Sequence, residues 1–169
     1  MDNLSMDESI LHYLYTKSFA AGDATLESLD LWAVHLKFDM NVFWEHYNQL
    51  IKQGWVLPHH EDNIVRLTPQ GVLRCEKAGL AHASLIAKNR DMRKRFVHTL
   101  ADQAAFRGTT ITIDELLEYS DEEENYCLGN IELLISLGYV KWIIPKVNLS
   151  INMNVCAKEA ALSRAQQHS

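Results

Sequence analysis

The sequence predicts a predominantly helical α+β protein in which one plan, three helices followed by a two-stranded hairpin, is used twice. Three observations predict it. Apolar residues recur at intervals of three and four through most of the chain, as one face of a helix requires. Two stretches, Leu50-Ile51-Lys52-Gln53-Gly54-Trp55-Val56 and Leu134-Ile135-Ser136-Leu137-Gly138-Tyr139-Val140, carry the same punctuation. Each closes an amphipathic helix with a glycine, which enters left-handed backbone without a Cβ clash, and then starts an aromatic-led strand. Setting Gly54 on Gly138 places Thr25 on Thr109, Trp32-Ala33 on Leu116-Leu117 and Leu67 on Ile151, so caps and core positions correspond. The expected units are 1–82 and 83–169, the second opening on a long connecting helix.

In the first unit, Ile10, Leu11, Leu14, Tyr15 and Phe19 set a helix over 7–21 that Gly22 ends. Thr25 caps a second helix with Leu29, Trp32, Ala33 and Leu36 on one face. Lys37-Phe38 is the break. Asp39 caps a third helix, whose stripe is Phe43, Tyr47, Leu50 and Ile51. A strand over 55–57, a turn over 58–63 and a return over 64–67 follow. Thr68 then caps a helix with Pro69 at its first position, where a missing amide hydrogen costs nothing.

In the second unit, Leu85, Met92, Phe96, Leu100 and Ala104 mark a helix over 83–106, stopped by Gly108. Residues 109–112 form a turn with room for a short strand. Ile113, Leu116, Leu117 and Tyr119 set the next helix. Ser120 with Glu123 reads as a capping box, and Ile131, Leu134 and Ile135 give the third helix. Strands are expected over 139–144 and 149–155, with a terminal helix over 157–166.

Composition narrows the function classes. The chain has 169 residues, 47% of them apolar, enough for a substantial core. No apolar run is long enough to span a bilayer, and the first residues are acidic without a signal pattern, so a soluble cytoplasmic protein is expected. Cys75, Cys127 and Cys156 are far apart and lack CxxC spacing, which reads as free thiols. The nucleophile elbow, the phosphate-cradling glycine loop and the HExxH zinc motif are all absent, so neither an enzyme nor a cofactor is expected. His59-His60-Glu61-Asp62 reads as an exposed turn rather than a metal site, because neighbouring residues on a strand point to opposite faces.

The formal net charge of -6 argues against a protein that coats nucleic acid. Positive charge gathers at Lys88, Arg90, Arg93, Lys94 and Arg95. Arg90, Arg93 and Lys94 share a helical face, able to grip phosphate, to dock an acidic partner, or simply to stand in solvent. The outer face of the third helix offers Asn41, Glu45, Asn48, Gln49 and Lys52. Asn and Gln suit adenine edges, and lysine suits a phosphate. In the second unit the same helix opens on Asp121, Glu122, Glu123 and Glu124. These acids complement a helix N-terminus and repel phosphate, which makes them a candidate partner-docking patch.

Three helices and a hairpin resemble the winged-helix fold. Residues 33–43, Ala33-Val34-His35-Leu36-Lys37-Phe38-Asp39-Met40-Asn41-Val42-Phe43, resemble a helix-turn-helix, with Leu36 and Phe38 plugging the turn. Leu67-Thr68-Pro69-Gln70-Gly71 resembles the strand-to-helix junction of MarR-type and PadR-type regulators; the second unit has Ile151-Asn152-Met153 there instead. The resemblance implies either DNA binding, with the third helix in the major groove, or a protein-interaction module. The leading expectation is a non-enzymatic regulator or adaptor that docks onto a protein partner or forms a homodimer. Trp44, Trp55 and Trp142 are its candidate apolar anchors. The alternative is a transcriptional regulator that holds duplex DNA through the first unit and the basic helix 88–95.

Overall fold

Helix starts in this chain are built from short polar side chains that satisfy otherwise unpaired amides. A computed structural model describes residues 4–21, 24–57, 63–107, 110–118, 120, 124–144 and 148–151. The expected stops at Gly22 and Gly108, the turn tips, Glu123 of the capping box and the terminal helix lie outside these residues. The described chain is predominantly helical with two small antiparallel sheets, an α+β arrangement. It divides into two compact units, 1–87 and 88–169. No helix among the described residues is long and apolar enough to cross a membrane.

In the first unit, α1 (Met6–Thr16) starts at Ser5, whose hydroxyl accepts from the Glu8 amide while Glu8 accepts from the Ser5 amide at 2.9 Å. The Ser5 amide and then the Ser5 hydroxyl, both donating to the Glu8 carboxyl, hold it below its ordinary range. The expected regular helix over 7–21 stops short: from Lys17 to Ala21 it widens into a π-helical turn. β1 (Ala24–Thr25) follows, and Thr25 and Ser28 form the capping box of α2 (Leu26–His35). Asp39 Oδ1 accepts from the Asn41 and Val42 amides at 2.9 and 3.3 Å and starts α3 (Met40–Lys52). β2 (Ile64–Val65) and α4 (Pro69–Ala78) complete the unit.

The second unit comprises α5 (Ala83–Arg107, from residue 88), β3 (Thr110–Thr112), α6 (Ile113–Leu117), α7 (Glu124–Ser136), β4 (Val140–Ile144) and β5 (Asn148–Ile151).

Strand pairing exposes the repeat most clearly. In the first unit Ala24 pairs with Val65, Thr25 with Ile64, and Val56 bridges to Leu67. In the second, Ile111 pairs with Leu149, Thr112 with Asn148, and Val140 with Ile151. The offset that carries Gly54 onto Gly138 also carries α3 onto α7, each of 13 residues. Both glycines are left-handed, at φ 73° and 78°, and the same hydrogen bonds surround them: Trp55 N to Leu50 O and Tyr139 N to Leu134 O, each 3.0 Å.

Two expectations are corrected. Thr25 corresponds to Thr112, not Thr109, since Thr112 caps α6 through a box with Glu115, and with it Leu29 rather than Trp32 falls on Leu116. The reason is length: α2 has ten residues and α6 only five, so the earlier part of the repeat slides against the later part. The strand over 55–57 reduces to one bridge at Val56, and β2 pairs instead with β1, which is too short to show alternation in the sequence.

The first core sets Ile10, Leu11, Leu14 and Tyr15 of α1 against Phe43, Tyr47 and Leu50 of α3 and Cys75 of α4, none more than 1% exposed. Glu76 lies in the same interior, where it accepts from the Tyr15 hydroxyl at 2.9 Å. The second core joins Met92, Phe96 and Leu100 of α5 to Leu116, Cys127, Ile131, Leu134, Val140 and Leu149. Burying a side chain of this size contributes roughly 1.5–3 kcal/mol, so these apolar sets dominate the stability of each unit.

The start of α4 is the tightest backbone approach described. Thr68 N donates to the Trp55 carbonyl at 3.0 Å, and Thr68 Oγ1 donates to the Gly54 carbonyl at 2.6 Å. A Cβ on Gly71 would lie 2.0 Å from the Trp55 oxygen, a backbone atom that cannot step aside. Gly71→Ala is therefore expected to destabilise the first unit by about 1–3 kcal/mol in urea denaturation, as overpacking does.

Burial also shapes the alkaline limit. Tyr47 is pushed up to about 12 by desolvation, and Cys75 to about 12 by desolvation and then the Glu76 carboxylate. Both folded values lie above the unfolded ones, so the stability is complete below pH 9 and is lost as pH rises toward 12. Melting temperature should fall over that window, and the double variant Tyr47→Phe/Cys75→Ala should fall less steeply.

Candidate functional site

The outer face of α3 is as the spacing requires. Asn41, Glu45, Asn48, Gln49 and Lys52 are all exposed, while Phe43, Tyr47 and Leu50 face inward. The helix is tied to α1, where His46 Nδ1 meets Asp7 Oδ1 at 2.6 Å, and within it Trp44 stands edge-on to Phe43 and Tyr47, with centroids 5.2 and 5.3 Å away. The surface is polar, with one lysine set against one glutamate.

The basic segment of α5 is not a single solvent-facing surface. Arg93 is buried at 8% exposure, and its Nη1 donates to Asn130 Oδ1 of α7 at 2.9 Å. Asn130 Nδ2 donates to the Tyr126 carbonyl at 3.1 Å and to Asn89 Oδ1 at 3.3 Å; both asparagines are fully buried. Lys88 Nζ sits 4.7 Å from the centroid of the Tyr126 ring, a cation–π contact. Arg95 Nε pairs with Asp91 Oδ2 at 3.2 Å. Arg90 and Lys94 are exposed. The face shared by Arg90, Arg93 and Lys94 thus loses its central member to the interior. The helical phase explains it: Asn89, Met92, Arg93, Phe96 and Leu100 form one inward stripe, in which a charge and an amide stand among apolar residues.

Asp121, Glu122 and Glu123 lie outside the described residues, as does the side chain of Glu124. His59-His60-Glu61-Asp62 lies outside them too. Among the described residues no group of three or more His, Cys, Asp and Glu gathers as a metal site would need. The candidate aromatic anchors are half-buried: Trp55 lies under Arg74, 5.3 Å from its ring centroid, and Trp142 is in β4.

Aliphatic residues on the first unit, rather than these aromatics, stand in solvent. Leu31 is 62% exposed, Val34 54%, Leu36 46% and Val42 41%. Leu36 was expected to plug the turn. It is instead exposed at the C-cap of a helix that ends at His35, where Lys37 at φ 59° turns the following chain away from it. The turn is filled by aromatic rings. Trp32 stacks on Tyr13 at 4.5 Å and meets Phe38 at 5.8 Å, and Phe38 stacks on Phe43 at 6.2 Å. The signal for the exposed row was present in the sequence: Leu31 and Val34 fall three apart on the side of α2 opposite Leu29 and Ala33.

No protein-family model, curated protein or solved structure matches this chain.

The buried guanidinium has a measurable consequence. Hydrogen bonds to charged groups contribute about 1.5–3 kcal/mol, whereas an exposed cation contributes at most about 0.5. Arg93→Met should destabilise the second unit by the larger amount in chemical denaturation, and Lys94→Met by the smaller.

Proposed function

We propose that the chain is a tandem winged-helix protein of the cytoplasm that works without catalysis, as a regulatory adaptor docking onto a protein partner or a second copy of itself. The repeated helix order and strand register support the architecture: after its third helix each unit makes an antiparallel pairing, Val56 with Leu67 in the first and Val140 with Ile151 in the second, and the returning strand also pairs with the one that precedes the second helix. One observation carries the function. The positive charge of 88–95, which a phosphate backbone would need as a continuous surface, is interrupted: Arg93 is drawn inside to Asn130, Lys88 lies over Tyr126 and Arg95 pairs with Asp91, while Arg90 and Lys94 stand exposed. The α7 helix carries no Lys or Arg to replace it.

A second reading, a transcriptional regulator that inserts α3 into the major groove, is favoured by the exposed row Asn41, Asn48, Gln49 and Lys52. Fluorescence anisotropy with random duplex DNA at low salt separates the two. The adaptor reading expects no saturation below about 100 μM, the weak end of non-specific binding. Tight binding that weakens steeply with salt and is lost in Arg90→Ala/Lys94→Ala/Arg95→Ala would establish the regulator instead.

A further inference from the structure

We infer that the outer face of α2 is a docking surface for a basic amphipathic helix of a partner protein, an inference that rests on the adaptor reading above. The helix buries Leu29 and Ala33 and half-buries Trp32. Its opposite side presents Glu27, Leu31, Val34 and His35. Leu31 and Val34 are more than half exposed. A solvated helix face is ordinarily polar there, and apolar residues grouped in this way mark an interaction site.

Charge selects the partner. Glu27 precedes Leu31 by one helical turn, and Asp30 precedes Val34 by one turn, so a carboxylate stands beside each apolar side chain. Glu27 complements the helix N-terminus, but among the described residues neither it nor Asp30 has an ion-pair partner. Asp39 lies just beyond the turn, and Lys37 is the one lysine or arginine between residues 26 and 39. An anionic lipid surface or a phosphate would be repelled. A helix with leucine-like residues at three- and four-residue spacing and lysine or arginine on its flanks would seat its apolar ridge along Leu31 and Val34 and its cations on Glu27 and Asp30.

The face is also held in place before any partner arrives. Thr25 and Ser28 cap α2, Tyr13 stacks on Trp32, and the Tyr13 hydroxyl donates to the Ser28 carbonyl at 3.1 Å. Little ordering is then required of this side on binding.

The test uses the full chain and two synthetic helices about 18 residues long, five turns. One is a Leu/Lys peptide with leucines on one face, the other its Leu/Glu counterpart. Affinity is read by calorimetry and location by amide shifts in ¹⁵N spectra. The Leu/Lys peptide should bind and shift amides across 27–36, and the Leu/Glu peptide should not bind. Leu31→Ser/Val34→Ser and Glu27→Lys/Asp30→Lys should each weaken binding roughly tenfold or more, about 1.4 kcal/mol. Asp102→Lys/Glu132→Lys, which alters net charge equally at exposed sites elsewhere, should change it less than about twofold, as near-neutral positions do. Equal weakening by the control pair, shifts confined to another face, or a dimer that buries Leu31 and is dispersed by Leu31→Ser would overturn the inference while leaving the adaptor reading intact. Salt-steep binding of duplex DNA through α3 in the same preparation would instead remove the adaptor reading itself.

Discussion

A single charge-assisted hydrogen bond, from Arg93 Nη1 to Asn130 Oδ1, governs how positive charge is arranged on this molecule. Burying a guanidinium is costly unless its donors are satisfied. Here it is met by an amide that is itself fixed by Asn89 and the Tyr126 carbonyl, so α5 and α7 are joined by a polar network inside an apolar core. The network holds Arg93 inside the second unit while Arg90 and Lys94 stand exposed, and the proposed adaptor reading rests on that break in the basic run.

The two units share their framework and differ in their surfaces. Val65 and Leu149 are both fully buried at the centre of their strand pairings, and Leu29 and Leu116 both anchor the helix after the first strand. On the third helix the correspondence ends at the outer face. Exposed Gln49 becomes buried Leu133, Asn48 becomes Glu132 and Lys52 becomes Ser136. Core positions are constrained by close packing and strand register, whereas the outer face answers only to what it touches.

Much of the fold was legible in the sequence because its local chemistry is unambiguous. Thr25, Asp39 and Thr68 cap the helices they were expected to cap, and Gly54, Gly79 and Gly138 adopt the left-handed backbone that only glycine enters freely. β1 was missed because two residues cannot display an alternation. The three-residue slide from Thr109 to Thr112 was missed because helix length is set by packing, not by the caps. The candidate site was less legible. The exposed row of α3 follows directly from helical phase, but Arg93 was assigned to the surface by residue type when its phase placed it among Met92, Phe96 and Leu100. Leu31 and Val34 are legible only through helical phase, because an aliphatic pair on a polar face matches no motif.

The most direct measurement is the hydrogen exchange of the arginine side chains, followed by ¹⁵N-detected NMR of the guanidinium groups. If Arg93 is held by Asn130 in the interior, one guanidinium should show separate, slowly exchanging Nη protons, and the Asn130→Ala variant should lose them. Rapid, averaged exchange for every arginine between residues 88 and 95 would place Arg93 in solvent and contradict the account.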